Sequence, residues 1–153
     1  MAQIEVSIVD AYVFRRRQGL VQFLLLQRRH DLELGGTWQA MHGKIDEQET
    51  ALAAAKRTVV SLTGADITAV YSADYINQFF DHRQDAVILA PVFAFEIASA
   101  ATYTLTPDYV DFAWCDTDEA TARLLFSGQR WAIRHIEEII GLAGDDAEYY
   151  RIE

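Results

Sequence analysis

The segment from Thr50 to Thr63 constrains this chain most, because its composition leaves little choice but a helix. It opens on Thr50, a residue type that caps helix N-termini. It runs through alanines at 51, 53, 54 and 55, and it stops at Gly64, a natural residue just past a helix end. Leu52, Ala55, Val59 and Leu62 fall on one stripe, so the helix is expected to lay that side on a sheet.

The surroundings supply the sheet. Ile4 to Phe14 and Leu20 to Gln27 read as strands joined by a polar turn over Arg15 to Gly19, and the second is apolar on both faces, as a central strand is. Asp31 to Thr37 reads as a loop containing Gly35-Gly36, and Trp38 to Met41 as a short extended piece. Ile67 to Phe80 and Asp85 to Ile97 read as two long strands around the polar turn 81–84. Tyr109 to Cys115 is a further strand, followed by helices over Asp118 to Phe126 and Gln129 to Ile140. Strands, helix, strands and helices in this order predict a mixed sheet covered by helices, not a regular βαβ array. One domain is expected over residues 1–143, with a mobile acidic tail over 144–153.

Composition bounds function. With 153 residues and 51% apolar side chains the chain can bury one core. A net charge of −10 argues against nucleic-acid polymers and anionic membranes, while leaving room for a small anionic ligand held locally. A single cysteine, Cys115, excludes an internal disulfide. The N-terminus lacks a secretory pattern and no apolar run is long enough to span a bilayer, so a cytoplasmic location is expected.

The stretch Gly43-Lys-Ile-Asp-Glu-Gln-Glu49, seven further residues, then Arg57 and later Gly64, resembles the box of the Nudix hydrolases. The approach Gly36-Thr-Trp-Gln39, the strand end Leu24 to Arg29, and Tyr109 to Trp114 before an acidic helix start are also similar to that family. Gly128-Gln-Arg130 resembles members acting on dATP or pterin triphosphates. The resemblance implies an α/β/α sandwich: a mixed sheet with the box helix on one face and the C-terminal helices on the other. It implies a nominal pyrophosphohydrolase of nucleoside triphosphates or nucleoside diphosphate-linked compounds, using Mg²⁺ or Mn²⁺ if active. It further implies that Glu49 and Arg57 pair to tie the loop to the helix, between the structural glycines Gly43 and Gly64.

The three positions that hold metal in active relatives are here Thr58, Ser61 and Leu62. Carboxylates at i, i+3 and i+4 share one helix side, and Mg²⁺ takes hard oxygen anions. Two hydroxyls and an isobutyl group are poor substitutes. Weak or lost turnover is therefore expected, with no metal at those positions. The weak substitutes are Asp46 and Glu47 in the loop and Glu96 on the long strand, with Glu47 and Glu96 also the candidates for catalytic carboxylates. Each is weighed against the reading that such acids are solvated surface charges. Arg28, Arg29 and Lys44 are candidates for phosphate contact against ordinary surface cations. His42 is more often a lone imidazole than a ligand, and Trp38, Tyr75, Phe79, Phe80 and Tyr103 are more often packing than base-stacking. The expected partner is a small phosphorylated, nucleotide-like molecule, and a homodimer stays open. The alternatives are a non-catalytic ligand sensor or a vestigial interaction domain.

Overall fold

The computed structural model describes residues 1–99 and 105–153; Tyr103 lies outside the described residues. The strands are β1 (Gln3–Glu5), β2 (Ile8–Arg17), β3 (Leu20–Arg28), β4 (Trp38–Gln39), β5 (Met41–Lys44), β6 (Ile67–Asp81), β7 (Ala86–Ile97) and β8 (Tyr109–Cys115). The helices are α1 (Ala51–Thr63), α2 (Thr117–Arg123) and α3 (Ser127–Ile136). A π-helical turn (Glu137–Gly141) and a 3-10 segment (Gly144–Tyr150) follow.

All eight strands belong to one mixed sheet. β7 is its axis, parallel to both β1 and β2 and antiparallel to β6. β2 continues the sheet through β5 over its first half and β3 over its second, and β3 carries β4 and β8. The expected single strand over Ile4 to Phe14 is thus two strands. Gln3–Glu5 pairs with Ala86–Ile88 and Asp10–Phe14 with Val92–Glu96, so the chain steps along one edge of β7 between them. The following turn is also tighter than expected. Arg15 to Arg17 stay in the ladder, and only Gln18-Gly19 turn, both with positive φ.

Side-chain alternation sorts the sheet into two faces. On one, Val9, Ala11 and Val13 of β2, Leu24 and Leu26 of β3 and Phe95 of β7 meet Ala54, Ala55 and Val59 of α1, with Leu52 and Leu62 packed at the margin. On the other, Tyr12, Phe14, Phe23, Leu25 and Ala94 meet Ala120 and Leu124, then Ala132, Ile133, Ile136 and Ile140. Among the described residues the layers are therefore helix, sheet and helices, with α1 alone on its side.

The C-terminal elements differ in detail from the sequence expectation. Asp116, not a later residue, caps α2 by accepting the Glu119 amide, so the helix starts and ends early. Residues 144–153 do not hang free of the fold. Ala147 is buried in the α3-side core, and the chain returns along β6, where Ile152 N donates to Val70 O at 2.8 Å and Val70 N to Glu153 O at 2.9 Å. Glu153 also pairs with Lys56 of α1.

Replacing the fully buried Phe95 by alanine should cost about 3–5 kcal/mol in urea unfolding. Phe79→Ala, at a side chain 44% exposed, should stay within about 0.5 kcal/mol of the parent.

Candidate functional site

The box folds as a loop fastened to α1. Arg57, one and a half turns into the helix, donates from Nε to Glu49 Oε1 and from Nη2 to Glu49 Oε2, both at 2.9 Å. The same Nη2 reaches the Lys44 carbonyl at 2.7 Å, and Glu49 also accepts the Asp46 amide at 3.0 Å. This fork, with the extra amide, holds the Glu49 carboxyl down at about 2, below its ordinary 4.5. Thr50 caps the helix by accepting the Ala53 amide, and Gly64 ends it in the left-handed region.

Gly43 explains how closely α1 lies on β5. A Cβ there would stand 1.9 Å from Thr58 Oγ1 and 3.0 Å from Thr58 Cβ, so only glycine admits the approach. Thr58 is buried, and its hydroxyl donates to Ala54 O at 2.8 Å. Ser61 is exposed, and Leu62 is half-buried against the α1-side core. The three positions of α1 that the family resemblance assigns to metal therefore present one internally bonded hydroxyl, one exposed serine and a hydrocarbon. Among the described residues no three His, Cys, Asp or Glu side chains gather where they could share a cation. This donor set does not fit a resident Mg²⁺ or Mn²⁺.

The substitute acids lie apart from one another. Asp46 and Glu47 are exposed in the loop, Asp46 at 3.6 Å from Arg57. Glu96 stands opposite Phe14 in the ladder and so projects to the α3 face, away from α1. There it pairs with Arg16 and accepts the Tyr71 hydroxyl at 3.3 Å, while Arg16 also reaches Ile140 O at 3.2 Å. Burial, with Glu96 nearby, pushes the Tyr71 phenol up. The two arginines among the candidate phosphate contacts are likewise engaged locally. Arg28 donates to Glu33 O at 2.7 Å, and Arg29 pairs with Asp31 and reaches Pro107 O at 3.3 Å. Lys44 is exposed at the end of β5.

A cavity of about 470 Å³ opens instead on the α3 face, between β5, β6, the loop before β4 and the start of α3. Its size falls within the roughly 300–1,000 Å³ usual for small-molecule sites. Trp38, Phe79, Phe80 and Phe126 give it aromatic walls, and Leu34 and Leu125 add to the rim. Phe79, Phe80, Leu125, Phe126 and Leu34 are each 44–56% exposed, so large apolar side chains collect around this one mouth. Leu34 has φ of 57°, a strained value for a leucine, held as its carbonyl accepts the amide and hydroxyl of Thr37.

The floor is polar. Asp10, 1% exposed, accepts from His42 Nδ1 at 2.7 Å and from Asn77 Nδ2 at 3.0 Å. Gln129, at the start of α3, lies 3.3 Å from His42 Nε2, and its Oε1 accepts the Ala40 amide at 3.5 Å. Gly128 makes room for this, since a Cβ there would fall 2.1 Å from Asn77 Oδ1. Of these residues the sequence reading weighed His42 alone and noted Gly128-Gln129 only within a motif. Asp10 was missed, although an acid inside the apolar run Ile8-Val-Asp-Ala-Tyr-Val-Phe14 is a visible anomaly. Asn77 gives no such signal, because a bulge in β6 between Ser72 and Ile76 resets which residues face the cavity.

Two outcomes follow from the box geometry. The Glu49 carboxyl is depressed in the fold, so its contribution to stability is complete above its ordinary 4.5 and is lost as pH falls toward about 2. Glu49→Gln should therefore lower the urea midpoint at pH 7 and flatten its fall between pH 4.5 and 2. Gly43→Ala should cost about 1–3 kcal/mol through overpacking, and adding Thr58→Ala should recover part of it in the same urea assay.

Comparison with known proteins agrees with this architecture. A curated octanoyltransferase of Myxococcus xanthus is 28% identical over 128 residues, 82% of this chain but 35% of its own length, so the chain spans about a third of that relative. A NUDIX hydrolase-fold protein of Listeria monocytogenes superposes with a TM-score of 0.77 at 21% identity, covering 93% of this chain and 97% of the other. The NUDIX domain of Shewanella oneidensis NrtR, solved with ADP ribose, gives 0.68 at 18% identity, with 90% and 88% covered. The sequence model of the NUDIX domain matches residues 5–138, and the chain belongs to that family.

Proposed function

We propose that this chain binds a small nucleotide-like molecule in the α3-face cavity and turns it over weakly or not at all. The nominal reaction of the fold is hydrolysis of a phosphoanhydride bond in a nucleoside triphosphate or a nucleoside diphosphate-linked compound. The observation that carries the reading is the state of α1: Thr58 is bonded to Ala54 O and wedged against Gly43, Ser61 is a neutral hydroxyl, and Leu62 packs into the core. None of the three offers the anionic oxygen on which Mg²⁺ or Mn²⁺ would stabilise charge on a phosphate and activate a water. The cavity supports the binding half of the reading, with aromatic walls suited to a flat ring and a polar floor suited to its edge. In this reading Glu49, Arg57, Gly43 and Gly64 act as scaffold, and Arg28, Arg29 or Lys44 are left to meet phosphate outside the cavity. The ADP ribose held by the Shewanella domain adds a ligand of the same chemical class on the same fold.

A panel of nucleoside triphosphates, dinucleotides and ADP ribose, with Mg²⁺ and Mn²⁺, should yield phosphate or pyrophosphate far more slowly than ordinary enzymatic rates, or none. At about 100 times Kd, a true ligand should raise Tm by roughly 5–10 °C. Metal-dependent turnover at ordinary enzymatic rates overturns the impaired-enzyme reading, and no thermal shift with any of the panel overturns the binding reading. Thr58→Glu, Ser61→Glu and Leu62→Glu together should raise Mn²⁺ affinity in a calorimetric titration; no gain means that this side of α1 is not where metal docks.

A further inference from the structure

β7 is buried on one side and open on the other. Ala86, Ile88, Ala90 and Val92 point to the α3 side and are buried, while Val87, Leu89, Pro91 and Phe93 point to the α1 side and are half-buried. The reach of α1 explains the difference. Its core takes in Phe93 and Phe95 but none of Val87, Leu89 or Pro91. The neighbouring strands carry this surface outward. Ile76 stands opposite Pro91, Gln78 opposite Leu89, and Phe80 opposite Val87, with an edge of Phe80 also at the mouth of the α3-face cavity. Ile4 lies beside Val87 on the other flank. Ile4, Ile76 and Phe80 are 73, 51 and 56% exposed. A contiguous apolar face of this kind marks a contact site.

The chemistry of the face says what fits it. Of these side chains Gln78 alone is polar, and none is charged. The chain carries a net charge of −10, so two copies repel wherever their acids meet and can touch closely only through an uncharged surface. A carboxamide both donates and accepts, so it can pair with its own symmetry copy, which an ionised carboxylate or an ammonium cannot do. Shape agrees with charge. Where β6 bulges between Ser72 and Ile76, a cavity of about 230 Å³ opens beside Ile76, Pro91 and Phe93, with Asp74 at its border. A void of roughly 150 Å³ already takes a benzene ring.

We propose that two copies of the chain meet on this face, sheet against sheet, about a two-fold axis that crosses the strands at Gln78 and Leu89. Each of these two residues then faces its own counterpart. The row of Phe80 and Val87 in one copy lies over the row of Ile76 and Pro91 in the other, which brings each Phe80 ring to the other copy's bulge cavity. Packed sheets stand about 10 Å apart, a gap that two glutamine side chains bridge. The face offers on the order of 500 Å² per copy, so the pair buries about 1,000 Å², the lower size limit of a specific interface. The contact uses the same surface twice and closes on itself, so association stops at two.

Sedimentation equilibrium of the full chain tests this. The chain should be dimeric at about 100 µM and dissociate on dilution, as a contact near the lower size limit does. Ile76→Asp should weaken the pair by about tenfold or more, because the two-fold brings the charge into the apolar contact twice. Gln78→Glu and Gln78→Lys should each weaken it by about tenfold, since like charges then meet at the axis, while an equal mixture of the two should regain the parent affinity within about threefold. Ile76 and Gln78 are exposed, so each variant should keep the parent circular dichroism as a monomer. Trp131→Asp, at a side chain 67% exposed on α3, should leave the dimer intact. A monomer at the higher concentration means that the face belongs to another occupant and overturns the inference. Dimers that ignore both charges at position 78, a mixture without recovery, or dissociation by Trp131→Asp overturn it equally.

Discussion

The fork of Arg57 on Glu49 fixes more than a loop. Its guanidinium joins three parts of the chain: the Glu49 carboxylate, the Lys44 carbonyl at the end of β5, and α1 itself. β5 is only four residues long and contributes four pairs to β2. Held at its far end by Arg57 and pressed by Thr58 on Gly43, it keeps the register in which Gly43 opposes Val9 and His42 opposes Asp10. A slip of one residue would turn His42 toward α1 and Gly43 toward the cavity. An interaction on one face of the sheet thereby sets the polar chemistry of the other.

That coupling separates two kinds of residue within one motif. Thr58, Ser61 and Leu62 belong to α1, across the sheet from the cavity floor, and their chemistry is neutral. Asp10, His42, Asn77 and Gln129 lie on the opposite face and form a connected polar network. Neutral side chains at these three positions of α1 therefore stand beside an intact polar network on the floor of the cavity. A leucine at position 62 also adds apolar contact to the α1-side core, where a charged group would bring a desolvation cost.

Local patterns made the layers legible and left the floor hidden. The alanine-rich run with Thr50 and Gly64 at its ends defines α1 by itself, and the apolar run of β3 marks a central strand because both of its faces are buried. The same kind of reading merged β1 with β2, since nothing in Ile4 to Phe14 shows that two pieces share one edge of β7. The cavity floor draws on residues 10, 42, 77 and 129, far apart in sequence. Which of them point inward depends on strand pairing and on the bulge before Asn77, neither of which a periodicity reports. The acids singled out from the motif, Asp46, Glu47 and Glu96, are legible as residues, but Glu96 belongs to an Arg16 and Tyr71 cluster that only the parity of β7 reveals.

The return of the chain along β6 has a consequence for association. β6 is the longest strand and lies at the margin of the sheet, where a flat row of unpaired amides and carbonyls can template another chain. Ile152 and Glu153 occupy that row at Val70, and the bulge with Asp74 at φ 49° breaks it again a few residues later. Among the described residues, only short stretches of that row remain available to a neighbour. Fibrillar growth from this margin is thus discouraged by two interruptions about four residues apart, built from a returning segment and a kink.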